Sequence, residues 1–494
     1  MRWFVRPSLL IAPVVGALTV AGVPAVADPP GKPSREESKN VILIIGDGMG
    51  YNSVDVGSLY EHGRSMYQSQ EDNPHLASDG GRSRATQVYQ RFPTQVGVET
   101  GYVFSQPYAA IDAWASPRHA TRDNPVERLN VTDSAAAATA MSTGVRTRGG
   151  YLGWDRDEQP LHDMVDLASE HGMATGVVTD ARFWADTAAG FAVHTEDDDE
   201  HGVIEQLLFH EDLDVVMGGG HPAHNNDGTA KESPYHRYVP EDVWAALNGG
   251  PAVEGLPEWT LVTDRGDFRA LGSQGAARGN RVKEMPTKVI GLPQSDGALF
   301  HDRPGDTEIP FAEPMAPNIA RLDEMALAAL NVLDQQSDQG FFTMIEAATI
   351  DGAAHNDQLG RQIEDQVALN DTVEAAVKWV RQNSSWEETT IIVTADHETG
   401  NLWGSGTWET NEFQPITGAK GEVPAAEYAD YTDVDPDDPE QAPHYHTHQL
   451  VPLYAQGPLA DDLAAVATGY DEVHGDYLRN IDIATVIRSA IATD

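Results

Sequence analysis

The chain has 494 residues, enough for one large α/β domain with insertions or for two to three smaller domains. It has no cysteine, which excludes disulfides, thiol catalysis and cysteine-bound zinc. Its formal net charge of −45 repels nucleic acid and anionic membranes, so we expect neither as a partner, and an anionic substrate would need bound cations.

The N-terminus has the organisation of a cleavable export signal. Two arginines precede an apolar stretch over residues 8–23, and small residues at 25–27 form a cleavage site. A membrane anchor is the alternative, but the apolar stretch is short and contains proline. We therefore predict a signal peptide over residues 1–27, a flexible leader over 28–39, and a secreted or periplasmic mature chain without a membrane anchor.

Two residue patterns alternate along residues 40–494, the predicted main domain. Apolar runs predict buried strands at 41–45, 174–179, 214–217, 341–346, 389–394 and 450–455. Helical periodicity is found at 161–170, 319–333, 361–383 and 481–491. The alternation predicts an α/β fold with a central, mostly parallel sheet and helices on both faces.

Three segments depart from this alternation and are predicted as insertions. Residues 51–95 are polar with weak periodicity, which indicates an insertion or a partly helical surface segment. Residues 221–318 are rich in glycine, proline and charge, and residues 400–443 form a second excursion. The sequence leaves open whether these two form a crown or cap over the site or the surface of a homodimer. We interpret the acidic run at 433–438 as a solvated loop, with calcium binding as the alternative.

A serine stands at the start of an alanine-rich stretch, VTDSAAAATA at residues 131–140. The alanines favour a helix, and either Asp133 or Ser134 can cap it. The free N–H groups and the dipole at that position favour an anion, which suits a nucleophile that attacks a phosphate. An ordinary N-cap is the alternative.

Carboxylates and histidines cluster near four predicted strand ends. The clusters are Asp47; Glu346, Asp351 and His355; Asp396, His397 and Glu398; and His444, His446 and His448. Residues four apart, such as Asp351 and His355, share one helical face. Because three clusters follow a strand and the fourth precedes one, we expect them to converge at one sheet edge. Carboxylate with imidazole suits zinc, and carboxylate with hydroxyl suits magnesium, whereas a single buried Asp–His pair is more often a structural hydrogen bond than a metal site.

Together these motifs resemble the alkaline phosphatases. The resemblance rests on residues 131–140, on Asp47, on the stretches 346–355 and 394–400, and on His446, in the family's order from about residue 40 to the C-terminus. It implies a phosphomonoesterase that acts on small phosphate monoesters through a phosphoserine intermediate, with two zinc ions and one magnesium ion.

The resemblance also implies a role for each site residue. Ser134 would be the nucleophile. One zinc would be held by Asp351, His355 and His446, the second by Asp47, Asp396 and His397, and the magnesium by Asp47, Glu346 and Thr187. His446 is preferred to His444 and His448 because the following Thr447 and the Val-Pro pair at 451–452 keep the family spacing.

Two positions depart from the family pattern. Ala185 stands two residues before Thr187, where the family often has aspartate or histidine, so the magnesium site is less well supported than the zinc sites. Asp198 stands four residues after His194, where the family usually carries an arginine that grips two phosphate oxygens. Arg182 is a candidate to replace it.

Other functions remain open at this stage. A phosphodiesterase or sulfatase on a similar metal scaffold fits the missing arginine, because a diester carries less charge. A non-catalytic metal- or phosphate-binding protein is a second alternative, against which the intact serine motif argues, and an acidic α/β domain with structural metals is a third. Since salt screens self-repulsion, the negative charge also suggests adaptation to a salt-rich environment, stated here as a hypothesis.

Overall fold

The helices and strands follow from the two alternating sequence patterns. The computed structural model describes residues 38–68, 84–117, 131–273, 285–300, 303–429 and 446–492. The strands are β1 (Asn40–Gly46), β2 (Thr94–Glu99), β3 (Tyr151–Leu152), β4 (Ala174–Arg182), β5 (Thr195–Glu196), β6 (Val215–Gly219), β7 (Thr260–Val262), β8 (Val289–Gly291), β9 (Phe341–Ala347), β10 (Thr389–Thr394), β11 (Glu398–Thr399), β12 (Trp403–Gly404), β13 (Ala426–Glu427), β14 (His446–Thr447), β15 (Val451–Gln456), β16 (Gly469–Asp471) and β17 (Gly475–Arg479).

Along the chain, most helices come between two strands. They are α1 (Tyr51–His62), α2 (Ala110–Ala113), α3 (Ser134–Thr143), α4 (Met164–Glu170), α5 (Asp186–Ala189), α6 (Glu200–Leu208), α7 (Glu241–Leu247), α8 (Arg265–Ser273), α9 (Leu322–Leu333), α10 (Thr349–His355), α11 (Leu359–Asn383), α12 (Thr407–Thr410), α13 (Ala460–Val466) and α14 (Asn480–Ile491), with a 3-10 helix at Tyr89–Arg91. Among these described helices, none has the length and apolar character that crossing a membrane requires. The predicted signal peptide, the acidic run at 433–438 and His444 lie outside the described residues.

Eleven of the described strands form one sheet, in the order β16-β17-β2-β15-β10-β1-β9-β4-β6-β8-β7. All neighbouring strands from β10 to β7 are parallel. Strand β15 runs antiparallel to both β10 and β2. Every residue of β1, β9 and β10 is buried, as expected for strands covered on both faces. The prediction of a mostly parallel central sheet is confirmed.

The register of the central strands brings their ends to one level. Ile45 of β1 lies opposite both Glu346 of β9 and Thr394 of β10. Because the three strands are parallel, the residues that follow β1 and β10 leave the sheet at the edge where Glu346 lies. Asp47 and Asp396 are therefore brought to the same place as Glu346, as the sequence pattern predicts.

The start of the segment 51–95 differs from the predicted surface segment. Helix α1 is largely buried, including the polar residues Ser53 and Asp55, and it packs against α11. Gln362 of α11 donates a hydrogen bond of 3.5 Å to the Ser53 hydroxyl. Polar side chains that pair between two buried helices leave no amphipathic pattern, which explains why the sequence did not reveal this burial.

The segment 221–318 also differs from a simple cap. It contributes β7 and β8, which extend the sheet beyond β6 in parallel register. Each of these strands has three residues, fewer than the apolar runs from which strands are recognised in a sequence. The part of this segment around residues 221–240 instead reaches the cavity described below.

Candidate functional site

Ser134 is the first residue of α3, and its neighbour caps the helix. The Asp133 carboxylate accepts hydrogen bonds from the Ala136 amide at 2.7 Å and the Gly150 amide at 2.9 Å. Of the two residues that could cap α3, the structure therefore uses Asp133. The Ser134 hydroxyl oxygen lies 3.1 Å from Nε2 of His397. The hydroxyl is placed at a helix N-terminus and beside a candidate metal ligand.

The first predicted ligand set, on α10 and β14, lies together. Asp351 is 3.1 Å from Nε2 of His355 and 3.2 Å from Nε2 of His446. The two histidine Nε2 atoms are 3.0 Å apart. Nδ1 of His446 donates to the Thr132 carbonyl at 2.9 Å, so Nε2 is the nitrogen that faces Asp351. Asp351 and His446, together with His397, offer ligand atoms that all lie within 4.8 Å of one another.

The second predicted ligand set also lies together and adjoins the first. Nε2 of His397 is 3.0 Å from Asp396 and 3.5 Å from Asp47. Asp396 is oriented by the amides of Gly48, at 3.1 Å, and of His397, at 2.9 Å. The His397 ring stacks on His446 with a centroid distance of 3.5 Å. The two sets are therefore in direct contact through these rings.

The third predicted set contains a buried carboxylate without a hydrogen bond of ordinary geometry. Thr187 donates a hydrogen bond of 3.3 Å to Asp47. Glu346 is completely buried, and its carboxylate oxygens make no hydrogen bond of ordinary geometry among the described residues, although the Thr179 and Thr187 hydroxyls lie near enough to favour its charged form. Oδ1 of Asp47 and Oδ2 of Asp396 face Nε2 of His397, at 3.5 Å and 3.0 Å. Buried carboxylates without donors are costly unless a cation is bound, so this donor set fits metal ions.

The electrostatics of these residues also indicate a need for cations. Burial, with the neighbouring carboxylates, raises the pKa of Glu346 to about 8 and holds the pKa of Asp47 well above its usual range. Burial would also raise the pKa of Asp351, but its two histidine neighbours hold it well below the usual range. Burial and the nearby His397 lower the pKa of His446 to about 4. A cation would compensate the carboxylates and meet His446 in its neutral, ligating form, whereas, against the lowering effect of burial, Asp396 and the other carboxylates raise the pKa of His397.

His448, one of the two competitors of His446, does not belong to any of these ligand sets. It is buried, and its ring lies 5.9 Å from that of Tyr108. A further group of ligand atoms, on Asp163, Asp166 and His194, has a structural explanation. Asp163 caps α4, and Nε2 of His194 lies 2.6 Å from the Leu161 carbonyl oxygen.

A cavity of about 880 Å³ opens onto Ser134, Asp47, Glu346 and Asp351. The other charged residues of its lining, called the outer wall below, are four carboxylates and two arginines, namely Asp186, Asp197, Asp198, Glu200, Arg182 and Arg237. Both positions that depart from the family pattern, Ala185 and Asp198, line this cavity. The substitution at Asp198 therefore changes the charge of the site itself.

The two arginines belong to distant parts of the chain. Arg182, at the end of β4, donates from Nε to the Asp296 carbonyl at 3.3 Å, and its guanidinium carbon lies 5.9 Å from the Trp184 ring. Arg237 forms an ion pair of 3.2 Å with Glu200. Sequence reasoning missed Arg237, because it lies in an irregular segment with no motif and only the fold brings it to the cavity.

Comparisons with known proteins identify a family and a fold that the chain resembles. A family model described as alkaline phosphatase matches residues 38–492. The chain is 27% identical over 429 residues to alkaline phosphatase 3 of Bacillus subtilis, covering 85% of this chain and 74% of the relative. It is 26% identical to streptomycin-6-phosphate phosphatase of Streptomyces griseus, covering 91% of this chain and 92% of the relative. Its fold is similar to that of alkaline phosphatase from the Antarctic bacterium TAB5, with a TM-score of 0.57 and 19% sequence identity. The superposition covers 93% of this chain and 100% of the other.

Proposed function

The chain belongs to the alkaline phosphatase family and is a phosphomonoesterase, and on that premise we propose that Ser134 is its nucleophile. The observation that carries this assignment is the position of Ser134. Its hydroxyl lies at the start of α3, 3.1 Å from His397, in the cavity that also exposes Asp47 and Glu346. No other hydroxyl among the cavity-lining residues of the described chain occupies such a place.

The proposal includes three bound metal ions. We assign one zinc to Asp351, His355 and His446, a second zinc to Asp47, Asp396 and His397, and a magnesium to Asp47, Glu346 and Thr187. Imidazole with carboxylate suits zinc, and carboxylate with hydroxyl suits magnesium. When bound, these ions supply positive charge that lowers the pKa of the attacking hydroxyl and stabilises the leaving oxygen.

The residues of the chain then have distinct tasks in the reaction. Oγ of Ser134 forms a bond to phosphorus as the bond from phosphorus to the alcohol oxygen breaks, and water later releases phosphate from the serine. Asp133 fixes the start of α3, so that free amides of the first turn point towards the phosphoryl oxygens. Arg182 offers its guanidinium to the same oxygens from the cavity wall.

The nucleophile is tested by Ser134→Ala. Turnover of a chromogenic phosphate monoester should be lost while metal content, measured by elemental analysis, stays near that of the unchanged protein. Full activity in the variant would rule out Ser134. A panel of a monoester, a diester and a sulfate ester tests the related phosphodiesterase and sulfatase activities, which the loss of the usual arginine at Asp198 favours.

We also propose export of the chain and cleavage after residue 27. The basis is the N-terminal sequence, with its arginines, apolar stretch and small residues. N-terminal sequencing of protein recovered outside the cytoplasm should start at Asp28. Light scattering on that mature chain would test the homodimer that the insertions leave open.

A further inference from the structure

The outer wall of the cavity carries more negative than positive charge. Asp186 begins α5, Asp197 and Asp198 follow β5, and Glu200 begins α6. These four carboxylates share the wall with Arg182 and Arg237. This excess of negative charge does not include the buried carboxylates Asp47 and Glu346, which the proposed metals would neutralise.

The contacts that the two arginines make within the protein do not remove this excess of negative charge. Arg237 already pairs with Glu200 at 3.2 Å. Its guanidinium carbon lies 5.1 Å from the Tyr238 ring, and Tyr238 packs on Trp184 with a centroid distance of 4.5 Å. Arg182 lies against the other side of this aromatic pair. Once Arg182 binds the phosphoryl group, no arginine of the described cavity wall remains to balance the other three carboxylates.

Those three carboxylates are Asp186, Asp197 and Asp198, and they line the same cavity as Ser134. Burial and the neighbouring Asp198 raise the pKa of Asp197, which shows that the carboxylates repel one another. The same cavity is lined by Ser134, whose hydroxyl lies 3.1 Å from Nε2 of His397, so a substrate at Ser134 would occupy the cavity that these carboxylates line. A positive charge on the bound molecule would relieve the repulsion.

We propose that this cavity selects phosphate monoesters whose alcohol part carries a positive charge, such as an amine, a quaternary ammonium or a guanidine. The inference rests on the proposed function, since it requires the phosphoryl group to lie at Ser134. The alcohol part then lies along Asp197 and Asp198, where a cation gains Coulomb energy and an anion is repelled.

The whole protein is strongly negative and attracts any cation, so the test must separate the local effect from the general one. Asp198→Asn removes one charge at the cavity wall. Glu196→Gln removes the same charge two residues away, from an exposed side chain of β5 that does not line the cavity. The two variants have equal net charge and differ only in position.

The experiment compares choline phosphate with neohexyl phosphate, which has the same shape with carbon in place of nitrogen. The mature chain is loaded with zinc and magnesium, and kcat/KM is measured for both esters. At an ionic strength of about 0.01 M we expect a preference for choline phosphate on the order of tenfold, falling towards unity at about 1 M. Asp198→Asn should lower the preference several-fold, Glu196→Gln should leave it unchanged, and Asp198→Lys should abolish or reverse it.

Each failure has a distinct meaning. Turnover of neither ester would contradict the proposed function. Turnover of both with equal kcat/KM at low salt would overturn only the selectivity, as would an equal loss of preference in Asp198→Asn and Glu196→Gln. A preference for phosphoglycolate, the anionic ester, would also overturn it and would assign the wall to Arg182 and Arg237.

Discussion

Replacing Glu346 with glutamine should have opposite effects on the metal-free and the metal-loaded protein. Glu346 is completely buried without a hydrogen bond of ordinary geometry among the described residues, and burial raises its pKa from the ordinary 4.5 to about 8. Ionising it in the folded, metal-free protein therefore costs on the order of 5 kcal/mol above pH 8. A buried glutamine amide without partners costs about 1–3 kcal/mol. The metal-free variant should be more stable by roughly 2–4 kcal/mol at pH 9.

The sign of the pH dependence follows from the raised pKa. A carboxyl whose pKa is higher in the folded state binds its proton there first, so its cost is absent below pH 4.5 and grows as the pH rises towards 8. The advantage of Glu346→Gln should accordingly disappear near pH 4.5. In protein loaded with magnesium the effect should reverse, because the neutral amide is a poorer ligand for a hard cation.

The assay is urea unfolding of both proteins in chelator at several pH values, repeated with zinc and magnesium present. Glu387→Gln is the matched control, because Glu387 is exposed and its replacement should change stability by less than about 0.5 kcal/mol. A metal-free Glu346→Gln protein that is less stable than the parent at pH 9 would refute the reasoning. It would mean that the carboxylate is compensated within the protein itself and does not await a cation.

Two further predictions concern the proposed reaction, and a third concerns the net charge of the chain. Arg182→Ala should raise KM for a phosphate monoester about tenfold with a smaller change in kcat, because it removes a ground-state contact to the phosphoryl oxygens, and unchanged steady-state kinetics would exclude Arg182. Chelation should abolish turnover, and zinc with magnesium should restore it, whereas full activity in chelator with no metal detected would contradict the proposed site. The temperature of thermal unfolding should rise as salt is added up to about 1 M, because screening relieves repulsion within a chain of net charge −45, and a flat or falling curve would contradict salt adaptation.

The centre of the fold and the convergence of the proposed ligand residues could be predicted because their signals are local. The apolar run that became β1 is followed directly by Asp47, and the run that became β10 by Asp396. A parallel register then makes convergence at one edge a geometric consequence. Asp351 and His355 needed only the helical spacing of α10.

The parts that sequence reasoning missed depend on contacts between distant segments. Helix α1 is buried by polar pairs with α11, which leave no amphipathic pattern. Strands β7 and β8 are too short to be recognised before β6 provides a partner. Arg237 comes to the cavity from an irregular segment. The sequence could not decide whether Asp133 or Ser134 caps α3, because both residue types favour N-caps. The backbone geometry of the structure shows that Asp133 is the cap.

The aspartate at position 198 bears directly on how the site would bind phosphate and substrate. An arginine there would bind two phosphate oxygens and add one positive charge, and Asp198 instead adds a negative one. Phosphate binding would then depend on the proposed metals, on the start of α3 and on Arg182. A carboxylate on the outer wall disfavours the free phosphate dianion more than an ester whose alcohol part is cationic, because only the ester brings a compensating charge. On our proposal, the same substitution would weaken phosphate binding, favour release of the product and make the alcohol part of the substrate a determinant of binding.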